Sequence, residues 1–146
     1  MDAPLTILLA DDDPDDRLMT REALEEATVS NPLHTVEDGE QLLDYLFARN
    51  DYAADPPPRP GLILLDLNMP RIDGREALAV IKSDASMRRI PVVVLTTSKA
   101  EEDIYRTYDL GVNSFITKPV SFDRLVEVMA SLGHYWLEIV ALPDAA

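Results

Sequence analysis

Four separated points of this chain hold residue types that could share one chemistry. They are the run Asp11-Asp12-Asp13, the lone carboxylate Asp66 inside "LILLDLNMP", the hydroxyl of Thr96 in "VVVLTTS", and Lys118 in "ITKP". Carboxylates brought together repel one another and cannot all stay ionised without a partner. A hard divalent cation resolves the repulsion, and an oxygen-only donor set selects Mg²⁺ over Zn²⁺. Such an ion keeps waters and bridges to phosphate oxygens. Lys118 would add a point charge for a second phosphate oxygen. Thr96 would donate a hydrogen bond to a third. Asp66 would then be the nucleophile, because carboxylates form aspartyl phosphates. Phosphoryl transfer asks mainly for positioning and charge neutralisation, which this set supplies.

These residues act together only if the fold collects them. Leu5 to Ala10 reads as a first strand. Asp13-Pro14 then supplies a helix N-cap and a proline at the first helical position. Leu33 to Val36 is a short second strand, and Asp38 to Arg49 a helix with Leu42, Leu43, Leu46 and Phe47 at helical spacing. Residues 50 to 61 form a proline-rich loop, long for a helix-to-strand connection. A continuous apolar run makes 62 to 66 a buried strand, which Pro70 cannot extend. A helix from about Asp73 to Ser83 follows, then a fourth strand opened by Pro91. Ser98 with Glu101 predicts a capping box for a helix to about Asp109, and Gly111 ends it. Ser114 to Thr117 is the fifth strand. Ser121 caps a last helix expected over about 121–140. Five β-α units imply an α/β fold: a parallel sheet with helices on both faces. Ligands of such sheets sit beyond the carboxyl ends of the strands. Asp11, Asp66, Thr96 and Lys118 are all placed at that edge. Each alone has an ordinary explanation, as a solvated helix start, a strand end or a loop. Their coincidence at four strand ends carries the weight.

Composition narrows the function classes. The 146 residues favour one domain over 1–146, and 47% apolar content disfavours disorder. No cysteine is present, so disulfides and thiolate chemistry are excluded. A formal charge of −14 disfavours nucleic-acid phosphates and anionic membranes as partners. No apolar run reaches membrane-span length, and the N-terminus lacks a basic n-region. The expectation is a cytoplasmic protein with a protein–protein role or a cation site.

Taken together, Asp11 and Asp12, Asp66 in "LLDLNMP", Thr96 in "VVVLTTS", Phe115 in "SFITKP" and Lys118-Pro119 resemble a response-regulator receiver domain of two-component signalling. The resemblance spans about residues 5 to 140. It implies a flavodoxin-like sheet of order 2-1-3-4-5, the order known for this family. It implies that Asp66 accepts a phosphoryl group from a phosphohistidine of a sensor histidine kinase. Asp12 and Asp66 would ligate Mg²⁺ with the backbone carbonyl of Asn68, and Asp11 would act through a water. Thr96 and Lys118 would bind the phosphoryl group. Thr96 and Phe115 would form the switch, and the Lys118–Pro119 bond would be cis. Such a protein promotes its own phosphorylation and slow dephosphorylation and is otherwise no enzyme. The long 50–61 loop and the ending "HYWLEIVALP" are similar to stand-alone receivers paired with bacterial phytochromes. No output domain is expected.

The alternative is a Mg²⁺-dependent aspartyl-phosphate phosphohydrolase. Such enzymes carry a second aspartate two residues after the nucleophile, where this chain has Asn68, and an amide cannot transfer protons in that role. A flavin-binding module would want an uncharged phosphate loop where Asp11 to Asp16 stand. A degenerate receiver would lack the acceptor, the acidic pair or the lysine. His34 and His134 are too isolated for a metal site or a phosphorelay histidine. Finally, Phe122, Leu125, Met129, Leu132, Trp136 and Ile139 form one apolar stripe, while Val126, Val128, Tyr135, Leu137 and Val140 suggest a second. With Ile104, Tyr105 and Tyr108, that second face predicts a homodimer built on helix four, strand five and helix five.

Overall fold

The computed structural model describes residues 5–97 and 101–139, without the side chains of 101, 102, 105 and 137–139. Five strands alternate with five helices: β1 Thr6–Ala10, α1 Pro14–Glu26, β2 Leu33–Val36, α2 Gly39–Phe47, β3 Pro60–Leu65, α3 Gly74–Ser83, β4 Val92–Thr96, α4 Glu101–Asp109, β5 Ser114–Thr117 and α5 Phe122–Leu132. The strands pair in parallel in the order β2-β1-β3-β4-β5. Every residue of β1 and β4 is buried, as continuous apolar runs in a sheet covered on both faces require.

Period-two alternation divides the sheet between two cores. Leu8, Ala10, Ile63, Leu65, Val92 and Val94 pack with Leu42 and Leu46 of α2 and with Leu78 and Ile81 of α3. Ile7, Leu9, Leu62, Leu64, Val93 and Leu95 pack with Leu24 of α1 and with Leu125 and Met129 of α5. The strand order reverses between β1 and β3. The carboxyl ends of those two strands, carrying Asp11 and Asp66, therefore flank the switch-point crevice.

Local signals fix the helix starts. Asp13, Asp38, Asp73 and Ser121 each accept a hydrogen bond from a backbone N–H of the first turn, as N-caps do. Ser98, predicted to cap α4, lies outside the described residues, as does Val140.

Several expectations are corrected. β3 opens at Pro60, where a missing N–H is tolerated because it is the first strand residue. α2 closes at Phe47 because Ala48 turns left-handed, with φ 52° and ψ 53°. The final helix is α-helical only to Leu132 and continues as a π-helical segment, Gly133–Ile139. The Lys118–Pro119 bond, expected cis, is trans, since no described peptide bond is cis. Trans is the lower-energy isomer of an X-Pro bond, and from it Lys118 still reaches the strand-end carboxylates.

The 50–61 stretch is packed rather than free. It contains a 3₁₀ turn, Asn50–Tyr52. The Tyr45 hydroxyl donates to the Pro58 carbonyl at 3.0 Å and meets His34 Nδ1 at 2.9 Å. Arg59 donates to the Ser86 carbonyl at 2.8 Å. His34 is thus a strand residue bonded to a neighbouring tyrosine.

Candidate functional site

The strand ends deliver the predicted groups to one point. β1 ends in Asp11, fully buried, with Asp12 exposed beside it. β3 ends just before Asp66, which is 6% exposed, and the Asp66 N–H donates to the Ala10 carbonyl of the adjacent strand. Gly74 holds the following loop against this point. Its N–H donates to the Leu67 carbonyl at 2.9 Å, and a Cβ there would strike the Asp66 carbonyl and sit 2.6 Å from the Leu67 Cα. Only glycine permits this approach of α3 to the strand end.

Both oxygens of Asp66 are engaged. Thr96, itself fully buried at the end of β4, donates its hydroxyl to Asp66 Oδ1 at 2.8 Å. The Asn68 N–H donates to the same oxygen at 3.2 Å. Lys118 Nζ donates to Asp66 Oδ2 at 3.0 Å, to Asp11 Oδ2 at 2.7 Å and to Asp16 Oδ2 at 2.9 Å. Asp11 Oδ1 accepts from the Asp13 N–H, and its carbonyl accepts from Arg17. One cation is thus shared among three carboxylates.

Burial raises the Asp11 carboxyl above its ordinary 3.8, an effect that the Lys118 hydrogen bond and the Asp13 N–H partly offset. Burial also opposes the charge on Lys118, but bonds to Asp11 and Asp16 and the charge of Asp66 outweigh it. The ammonium is held above its ordinary 10.5. Asp11, Asp12 and Asp66 each offer an oxygen, all within 4.8 Å of one another. This oxygen-only set fits a hard divalent cation, which would relieve the crowding of negative charge.

Phe115 lies on β5, half-buried against the core shared with α2 and α3. Its backbone N–H donates to the Tyr108 hydroxyl at 3.2 Å. Asp16 was not singled out in the sequence. Its only signal was its position in the first turn of a helix starting at the strand edge. Nor was the Arg75–Asp103 pair, bidentate at 2.7 and 2.6 Å, which ties the start of α3 to α4.

The predicted second apolar face of the last helix is smaller than expected. Val126 and Val128 pack against the monomer core. Tyr135 is exposed, stacked edge-on against the buried Trp136, and Tyr108 of α4 is exposed as well. A groove of about 370 Å³ runs between β5 and α5, lined by Ile116, Val128, Leu132, Tyr135 and Trp136 among others. The side chains of Tyr105, Leu137 and Ile139 lie outside the described residues.

A family model, the response regulator receiver domain, matches residues 7–130. Response regulator Rcp1 of Synechocystis is 42% identical over 142 residues, covering 97% of this chain and 95% of Rcp1. The phosphorylated cyanobacterial phytochrome response regulator RcpA superposes with a TM-score of 0.90 at 44% identity, covering 97% of this chain and all of RcpA. The Mn²⁺-bound form of Rcp1 superposes with a TM-score of 0.88 at 41% identity, covering 97% of this chain and all of that structure. The chain is a two-component response regulator of the receiver domain family, closely related to phytochrome-associated receivers, and acts as a phosphoacceptor switch rather than a catalytic enzyme.

Proposed function

We propose that Asp66 is the residue that accepts the phosphoryl group, from a phosphohistidine of a sensor histidine kinase. The observation that carries this reading is the engagement of both Asp66 oxygens by donors that could equally serve phosphoryl oxygens, the Thr96 hydroxyl and the Lys118 ammonium. An Asp66 oxygen bonds to phosphorus while the phosphorus–nitrogen bond breaks and the imidazole leaves with the electron pair. Lys118 and Thr96 then donate to phosphoryl oxygens. Asp12 and Asp66 with the Asn68 carbonyl, and Asp11 beside them, would hold Mg²⁺, which would supply charge neutralisation. Asn68 offers no proton relay, so the phosphoryl group persists as a signal. Thr96 and Phe115 carry its arrival to the α4-β5-α5 face. That face forms a homodimer around the exposed Tyr108 and Tyr135. A cytoplasmic kinase of the phytochrome class fits the likeness to RcpA. Transfer of label from a phosphorylated kinase tests the reading. Wild type takes up label with Mg²⁺ present, and Asp66→Asn takes up none. Equal labelling of both proteins would remove Asp66 from the role.

A further inference from the structure

We infer that Asp16 is a positioning residue that holds the Lys118 ammonium over the reacting carboxylate once a cation and a phosphoryl group are in place. The inference rests on the reading of Asp66 as the acceptor. An ammonium has three N–H donors. In this site all three are taken, by Asp11, Asp16 and Asp66 at 2.7, 2.9 and 3.0 Å. Two of those partners are compromised by the chemistry. Asp11 and Asp66 belong to the oxygen cluster that fits a divalent cation. A cation there neutralises the charge that attracts the lysine and adds its own repulsion. Phosphorylation then makes one Asp66 oxygen the bridge of a mixed acyl–phosphoryl anhydride, and the carboxylate loses its own negative charge. Asp16 stands apart from both events.

Asp16 lies outside the cation-capable cluster, in the first turn of α1, one side chain across from the strand ends. Its backbone is fixed. Pro14 opens the helix, and Asp13 Oδ1 accepts from the Asp15 and Asp16 N–H groups. Arg17, the next residue, is bonded to the Asp11 carbonyl at 2.7 Å, which ties this turn to the β1 end. The Asp16 side chain keeps 35% of its surface in solvent and so escapes full desolvation, whereas the Lys118 side chain keeps only 12%. Asp16 is thus the lysine partner whose charge the reaction leaves intact.

The test compares Asp16→Asn with Asp15→Asn, which removes the same charge one residue away. With acetyl phosphate as donor and saturating Mg²⁺, Asp16→Asn slows phosphorylation about tenfold, the scale of one charge-assisted bond lost from a positioned group. Asp15→Asn leaves the rate within about twofold. Asp16→Glu recovers most of the loss. In a Lys118→Ala background, Asp16→Asn has no further effect, because its action runs through the lysine. A readout independent of activity is the Lys118 ammonium proton signal in ¹⁵N-edited NMR of the metal-free protein. Asp16→Asn speeds its exchange with water, and Asp15→Asn does not. Equal rates for the two asparagine variants, or an undiminished Asp16→Asn effect without the lysine, would overturn the inference. Asp66→Asn, run in parallel, separates the two ideas: if it stays unlabelled while Asp16→Asn behaves as wild type, only the role of Asp16 is lost.

Discussion

At the scale of residues, the site is a balance of charge around one lysine. Asp11 bears the cost of burial most plainly, with its carboxyl raised above 3.8. A raised folded-state value means that the folded chain binds a proton more readily than the unfolded chain. The resulting stability is fully present below the ordinary value and is lost as pH rises through the folded one. Metal-free protein should therefore lose part of its thermal stability as pH climbs above about 4. Asp11→Asn should remove that part, so its melting temperature gains on wild type across the same range. Adding Mg²⁺ should stabilise wild type more than the variant, in which Asp12 and Asp66 still offer oxygens to the ion. Differential scanning fluorimetry at several pH values measures all of this. A variant that melts below wild type at neutral pH without metal would contradict the charge-crowding account.

At the scale of elements, the approach of α3 to the end of β3 is the tightest requirement. The Cβ of Gly74→Ala would press on backbone atoms of Asp66 and Leu67, which cannot give way as a flexible side chain can. Overpacking of this kind costs about 2 kcal/mol. The variant should melt lower by roughly 4–8 °C, on the usual scale for a chain of this size. It should also accept phosphoryl groups more slowly, because Asp66 is displaced. An unchanged melting temperature would show that the loop has room. The five β-α units were legible because buried parallel strands read as continuous apolar runs and helices as capped amphipathic stretches. Asp11, Asp66, Thr96 and Lys118 were legible for a related reason, since each follows such a run directly. Asp16 was not, because its role depends on where a helix aims its first turn. Ala48 is not a residue type that announces a left-handed turn, so the early end of α2 was hidden. The Arg75–Asp103 clamp joins residues 28 apart, a distance that no local pattern spans.

At the scale of the whole molecule, a formal charge of −14 disfavours binding to nucleic-acid phosphates. No described helix is long and apolar enough to cross a membrane. The exposed Tyr108 and Tyr135, with the groove between β5 and α5, support the proposed dimer on α4, β5 and α5. Sedimentation at micromolar concentration should give a dimer, and Tyr135→Glu should shift it towards monomer. A monomer with and without phosphorylation would remove the dimer. The central claim is narrower: one carboxylate, Asp66, becomes the aspartyl phosphate. Borohydride reduces an acyl phosphate to an alcohol and converts the modified aspartate to homoserine. Peptide mass spectrometry after phosphorylation and borohydride treatment reads the position directly. The account predicts homoserine at position 66 alone. Homoserine at 11, 12 or 16, with Asp66 unchanged, would contradict it.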